Sequence, residues 1–168
     1  HAHFDDEQFD ADRDEVLKSL KSYGVGNIVN IGSSMKTSRT SVALAEKYDF
    51  VYAAVGVHPS ETGELCETDI DELKRLAANP KVRAIGEIGL DYHYPDDVEP
   101  SIQKKWFVRQ LELAKELNMP VVIHDRESKG ECLEILKEHK ISNGVVHCFS
   151  GSAETAAEII KIGMYIGV

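Results

Sequence analysis

The sequence predicts an α/β fold of the TIM-like (β/α) barrel type, and three observations predict it. Apolar β-type runs alternate with amphipathic stretches along the chain, the first strand-to-helix turn carries no nucleotide loop, and run after run ends on an ionisable residue. A helix-type stretch over residues 10–23 comes first. Strand candidates then fall at residues 27–32, 51–57, 82–88, 120–124, 144–149 and 164–168, with helix candidates at 34–48, 69–79, 101–117, 129–139 and 152–162 between them. The helix stretches repeat apolar residues three and four apart, as Leu111, Ala114 and Leu117 do. Ser152, with Glu154 and Thr155 after it, suits a helix start, and Gly24 and Gly163 stand where helices end.

Strands apolar on both faces that alternate with helices signal a parallel sheet covered by helices, either closed as a barrel or open and doubly wound. Periodicity does not choose between the two. After the first strand the turn reads Gly32, Ser33, Ser34, Met35, with neither GxGxxG nor GxxxxGK[ST], which favours the barrel. A length of 168 residues suits one core, because a domain takes roughly 150. Trp106, Phe107 and Leu111 are expected to form a helix face packed on the sheet rather than a base-stacking surface.

Composition narrows the function classes. Hydrophobic residues make up 42% and charged residues 29%, with no apolar run long enough to span a bilayer. The net charge of −10 argues against a protein that coats nucleic acid through many phosphate contacts, though not against one that holds a phosphodiester locally. Cys66, Cys132 and Cys148 are odd in number and form no close pair, which suits a reducing compartment, so the expected location is cytoplasmic. Cys148 is expected to be an inert packed thiol, turned away from its neighbour His147 by strand alternation. The chain opens at His1 without Met and stops at Val168 inside an apolar run, so both ends are expected to be cut.

Candidate chemistry lies at the strand ends, which meet at one mouth in a β/α barrel. His1 and His3 are two apart, so on an extended chain both imidazoles face one side and suit one ion; a pair of surface histidines is the plain alternative. Glu87 stands in an apolar, glycine-rich run, where an unpaired carboxylate costs several kcal/mol. It needs a cation, supplied by a buried Lys or Arg or by a metal. His124 and His147 close adjacent strands and join Glu87 as candidate ligands, although either alone would suit a hydrogen-bonded core histidine.

His58, followed by Pro59, is expected to act on substrate or on a ligand rather than to ligate, or else simply to enter a tight loop. Asp91 shares a side with Glu87 if the strand stays extended; it could orient a ligand histidine, bind water, or cap the turn-rich segment 92–97. Arg126, two residues past His124, has the fork that grips two phosphate oxygens, with a surface ion pair as the rival role. His93 and His139 fall in a loop and at a helix end.

The segments HAHFDDEQFD, YAAVGVHP, GEIGLDYHY, PVVIHDRE and GVVHCFSGS, in this order, resemble the successive motifs of the TatD deoxyribonuclease family within the wider amidohydrolase-like superfamily, and they span nearly the whole chain. The resemblance implies a TIM-like barrel with two divalent ions (zinc, magnesium or manganese) that hydrolyses phosphodiester bonds, removing nucleotides from the 3′ end of single-stranded DNA. Carried over by position, His1 and His3 match the first ligands, Glu87 the bridging carboxylate, and His124 and His147 the ligands of the second ion. Catalysis is then expected to use Glu87, with Asp91, His58 and Arg126 assisting. Family members also use an aspartate after the eighth strand. Residues 1–168 are accordingly expected to be one hydrolase barrel domain truncated at both ends, lacking most of strand 1 and the units after strand 7. A monomer is favoured, and no membrane partner is expected. The alternatives are a related barrel acting on an ester, amide or aminoacyl bond, and a non-catalytic metal-binding module.

Overall fold

The computed structural model describes residues 1–94 and 97–168; Pro95 and Asp96, within the turn-rich segment 92–97, lie outside the described residues. Its strands are β1 (Ile28–Ile31), β2 (Val51–Val55), β3 (Val82–Asp91), β4 (Val121–Arg126), β5 (Gly144–Val146) and β6 (Tyr165–Ile166), in one sheet of that order. Every neighbouring pair is parallel, and the N-terminal segment adds a parallel bridge from Ala2 to Asn30 on the outer side of β1. Among the described residues six α-helices precede or join them: α1 (Arg13–Leu20), α2 (Met35–Lys47), α3 (Glu67–Ala77), α4 (Pro100–Glu116), α5 (Glu131–Glu138) and α6 (Ala153–Lys161). The alternation expected from the sequence is present. Among the described residues β6 does not pair with β1, so the sheet is not closed.

The main core lies between sheet and helices. Trp106, Phe107 and Leu111 of α4 are buried there, with Leu73 of α3 and Leu136 of α5, as the helix periodicity implies. A smaller cluster of Ile31, Ala54, Ala84 and Val122 lies on the other face of the sheet. Among the described residues no helix is long and apolar enough to cross a membrane.

Boundaries differ from expectation where local chemistry intervenes. Helix α1 starts at Arg13, and its last turn tightens into a 3-10 helix over Lys21–Tyr23 that Gly24 ends at φ 84. Helix α3 opens at Glu67 because Asp69 is the third residue of a capping box on Cys66. Helix α5 waits until Glu131, since Lys129 and Gly130 take positive φ. Ser152 caps α6 through the Thr155 N–H, as expected. A 3-10 helix over Pro59–Glu64, entered at His58, has no periodicity by which it could be anticipated.

Strand ends matter most. β3 runs three residues past Ile88, the expected end, to Asp91. It carries a bulge between Ile85 and Ile88, so Glu87 leaves the ladder and its N–H bonds the Gly32 carbonyl at 2.8 Å. Gly89, at φ 150, passes so close to the His124 carbonyl that no side chain fits. β5 stops at Val146, and Cys148 turns to φ 48 instead of continuing the alternation. Its thiol is consequently exposed, which corrects the expectation of a packed one; Cys132 is the buried thiol, and burial pushes its pKa well up.

Candidate metal centre

Four elements bring the five expected ligands to one mouth, at the C-terminal ends of the strands. His1 and His3 flank the Ala2 bridge, Glu87 is on the β3 bulge, His124 is within β4 and His147 directly follows β5. His3, Glu87, His124 and His147 line an open cavity of about 610 Å³ whose rim carries Asp5, Asp6, Glu7 and Glu61 and, among the described residues, one lysine, Lys36. The rim is acidic, a field that concentrates cations.

Glu87 is 4% exposed, and its two carboxylate oxygens face different histidine pairs. Oε1 lies 3.0 Å from His124 Nδ1 and 3.0 Å from His147 Nε2. Oε2 lies 3.5 Å from His1 Nε2 and 3.8 Å from His3 Nε2. Burial would raise the Glu87 pKa, but the hydrogen bonds from His124 and His147 outweigh it and hold the carboxyl well below its usual range. For His124 burial would lower the pKa, and Glu87 followed by Asp91 outweighs it, so the imidazole titrates above its ordinary value.

The donor set fits divalent ions, and the hydrogen bonds behind the candidate donors support the fit. His3 Nδ1 is 3.0 Å from the Ile31 carbonyl, which can only accept, so Nδ1 carries the proton and Nε2 presents a lone pair. That Nε2 sits 3.0 Å from His1 Nε2. Two ring nitrogens this close, beside a buried carboxylate, require a proton or a cation between them. Three sets of side chains gather donor atoms closely enough for an ion: His1, His3 and Glu87; Glu87, His124 and His147; and His58, Asp91 and His124. The last two compete for His124. A neutral imidazole has one lone pair, and Asp91 Oδ2 already lies 3.0 Å from His124 Nε2, which leaves Nδ1 for the Glu87 side.

Asp91 is buried, and its Oδ1 accepts from the His93 N–H at 3.0 Å. His58 stands edge-on to His124 with ring centroids 4.3 Å apart. Its Nδ1 accepts from the Ser60 N–H at 3.3 Å, so the proton sits on Nε2. Burial, with the neighbouring His124, lowers its pKa to about 4 and keeps it neutral. Arg126 is not brought into the cavity: its guanidinium lies 5.3 Å over the Tyr94 ring, outside the lining. His93 bonds Glu127 at 2.6 Å.

Sequence reasoning missed the polar groups that hold these ends in place. Asn30, fully buried on β1, accepts from the Phe4 N–H at 2.6 Å and donates to Asp5 at 2.6 Å and to Ser41 at 2.8 Å, tying down the segment that carries His1 and His3. Ser38 of α2 bonds both the carbonyl and the N–H of Gly56, at 2.9 and 3.0 Å. The signal in the sequence is a polar residue amid apolar neighbours: Asn30, in a run of Ile and Val, stands out as Glu87 does.

The family model described as TatD related DNase matches residues 1–168. Among curated proteins, the "Uncharacterized metal-dependent hydrolase YabD" of Bacillus subtilis (strain 168) is 43% identical over 168 residues, covering 99% of this chain and 66% of its own. The "3'-5' ssDNA/RNA exonuclease TatD" of Escherichia coli (strain K12) is 34% identical over 163 residues, covering 96% and 62%. Of solved structures, the TatD homologue YjjV of Escherichia coli K12 aligns with a TM-score of 0.92 at 35% identity, over 100% of this chain and 66% of that one. A TatD family hydrolase of Entamoeba histolytica aligns at 0.85 and 31%, over 94% and 56%. The chain thus spans 62 to 66% of the length of these two curated relatives.

Proposed function

We propose a function from one premise: the chain belongs to the TatD related DNase family, whose barrel fold it shares. We infer that its whole protein is a metal-dependent hydrolase that cleaves phosphodiester bonds of single-stranded DNA from the 3′ end. The observation that carries this reading is Glu87, one buried carboxylate presenting each of its two oxygens to a separate pair of histidines. The names of the curated relatives, a metal-dependent hydrolase and a 3'-5' ssDNA/RNA exonuclease, support it. In this reading residues 1–168 belong to one barrel domain acting as a cytoplasmic monomer.

His1 and His3 with Glu87 Oε2 would hold one ion, and His124 and His147 with Oε1 the other. Bound there, the ions would supply Lewis acidity and positive charge at the phosphoryl group. The chain's own side chains prepare the rest. Glu87 stays ionised because the imidazoles around it outweigh its burial. Asp91 holds the Nε2 edge of His124, so that the imidazole enters the centre through Nδ1. His58, kept neutral and protonated on Nε2, donates a hydrogen bond to a phosphoryl oxygen at any pH above about 5, since its pKa is about 4. Arg126 and Tyr94 stand outside the cavity, and in this reading they meet the strand beyond the reacting phosphate.

The test is hydrolysis of 5′-labelled single-stranded DNA by the full-length protein, stripped with chelator and resupplied with zinc, magnesium or manganese. Shortening from the 3′ end only with added metal is expected. Cleavage of small esters or amides but of no nucleic acid would overturn the substrate assignment in favour of a related barrel hydrolase.

A further inference from the structure

Two buried glutamines of α4 grip the ends of β2 and β3. Gln103 and Gln110 lie about two helical turns apart, on one face of α4, and are 1% and 0% exposed. The Gln110 carboxamide accepts from the Val57 N–H at 2.8 Å and donates to the Val57 carbonyl at 3.1 Å. Gln103 does the same to Asp91, at 2.9 Å in each direction, and also donates to the Val98 carbonyl at 2.8 Å. Each amide thereby imitates one residue of a neighbouring strand where the ladder has run out: Val57 is past the end of β2, and Asp91 is the last residue of β3. Satisfying buried backbone groups is one consequence. The residue that Gln103 fixes has another, because its carboxylate faces His124 Nε2 at 3.0 Å, and the opposite ring nitrogen faces Glu87 at 3.0 Å.

We propose that Gln103 is a positioning residue for the metal centre, acting through Asp91 on the orientation and tautomer of His124. The proposal rests on the reading of His124 as a ligand through Nδ1. With the Asp91 backbone clamped from both sides, its carboxylate has one place to be, and a proton on His124 Nε2 has a fixed acceptor. The lone pair on Nδ1 is then aimed at the Glu87 side before any ion arrives. Partners that orient ligand histidines in this way are worth roughly 10- to 100-fold in metal affinity.

The test is titration of the metal-free full-length protein with cobalt(II), followed by visible absorption, together with imidazole nitrogen NMR of His124 at a pH where the ring is neutral. Gln103→Met keeps the length of the side chain and removes the amide. It is expected to bind the cobalt beside His124 and His147 about 10-fold more weakly or worse and to shift His124 from a single Nε2–H tautomer to a mixture. Combined with Asp91→Asn, it should weaken binding no further than Asp91→Asn alone. A core truncation in α5, Leu136→Ala, should lower the melting temperature and leave cobalt affinity unchanged. If Gln103→Met does not fold, Gln103→Glu keeps the shape and one acceptor while losing the donor, and should weaken the cobalt beside His124 and His147 to a lesser degree. Wild-type cobalt affinity and tautomer in the folded variant, or losses that add in the double variant, would overturn the proposal. A wild-type protein that takes up fewer than two cobalt ions would instead overturn the ligand reading and the proposal with it.

Discussion

The two halves of the centre share one carboxylate and are held in different ways. On the Oε1 side, His124 belongs to β4 in register with β3, and the N–H of His147 bonds the Ile123 carbonyl at 2.9 Å, so sheet backbone fixes both rings. On the Oε2 side, His1 and His3 ride on a segment joined to β1 by one bridge, and the Asn30 side chain does much of the fastening. His3 is the most exposed side chain of the four, at 41%, against 24% for His1, 18% for His124 and 25% for His147. A ligand set built on a ladder is organised before metal arrives; one built on a tethered strand keeps some ordering to be done on binding. The Oε1 half is therefore expected to bind its ion the more tightly of the two.

Removing the shared carboxylate should erase the distinction altogether. Glu87→Gln is expected to abolish both ions and to cut metal-dependent hydrolysis by about 10³-fold or more, since losing the Lewis acid forfeits several kcal/mol. Circular dichroism should remain native-like; normal cleavage by this variant would defeat the bridging role. Next in size, His147→Ala should remove one ion and His3→Ala the other, each counted by elemental analysis, with the ion surviving in His3→Ala bound more tightly than the ion surviving in His147→Ala. Equal affinities would dissolve the comparison.

Asn30→Leu sharpens it further. The substitution leaves the Phe4 N–H and Ser41 without their buried partner, at a cost of roughly 1–3 kcal/mol, and should weaken the Oε2-side ion about tenfold while sparing the other. Asn30 also shows how far the chain could be read from sequence alone. The alternation of strands and helices was legible because apolar periodicity records burial, and Glu87, His124 and His147 because ionisable residues interrupt apolar runs. The bulge that swings Glu87 off the β3 ladder, the positive φ that exposes Cys148, and the glutamines of α4 were not, since each depends on what a distant segment offers the backbone. Arg126 was placed by strand alternation alone, which is blind to the Tyr94 ring that draws it out of the cavity.

The pH response separates the halves more gently. His124 titrates above the ordinary imidazole value, so in metal-free protein its ion pair adds stability that is complete below the unfolded histidine pKa and is lost as pH rises through the folded one. Metal uptake runs the other way, because a proton on His124 competes for the same nitrogen. Melting temperature in chelator should therefore fall slightly with rising pH across that range, and in excess zinc it should rise. A parallel dependence in both conditions would remove His124 from the ligand set. The smallest effect expected is at Cys148: its exposed thiol should react with a disulfide reagent in the native state, whereas buried Cys132 reacts only on unfolding, and Cys148→Ser should leave hydrolysis unchanged.

Anomalous diffraction from crystals of the full-length protein grown with zinc bears most directly on the centre. Two peaks are expected, flanking Glu87, one beside His1 and His3 and one beside His124 and His147, each about 2 Å from its carboxylate oxygen. A single peak, or one seated among His58, Asp91 and His124, would contradict the arrangement.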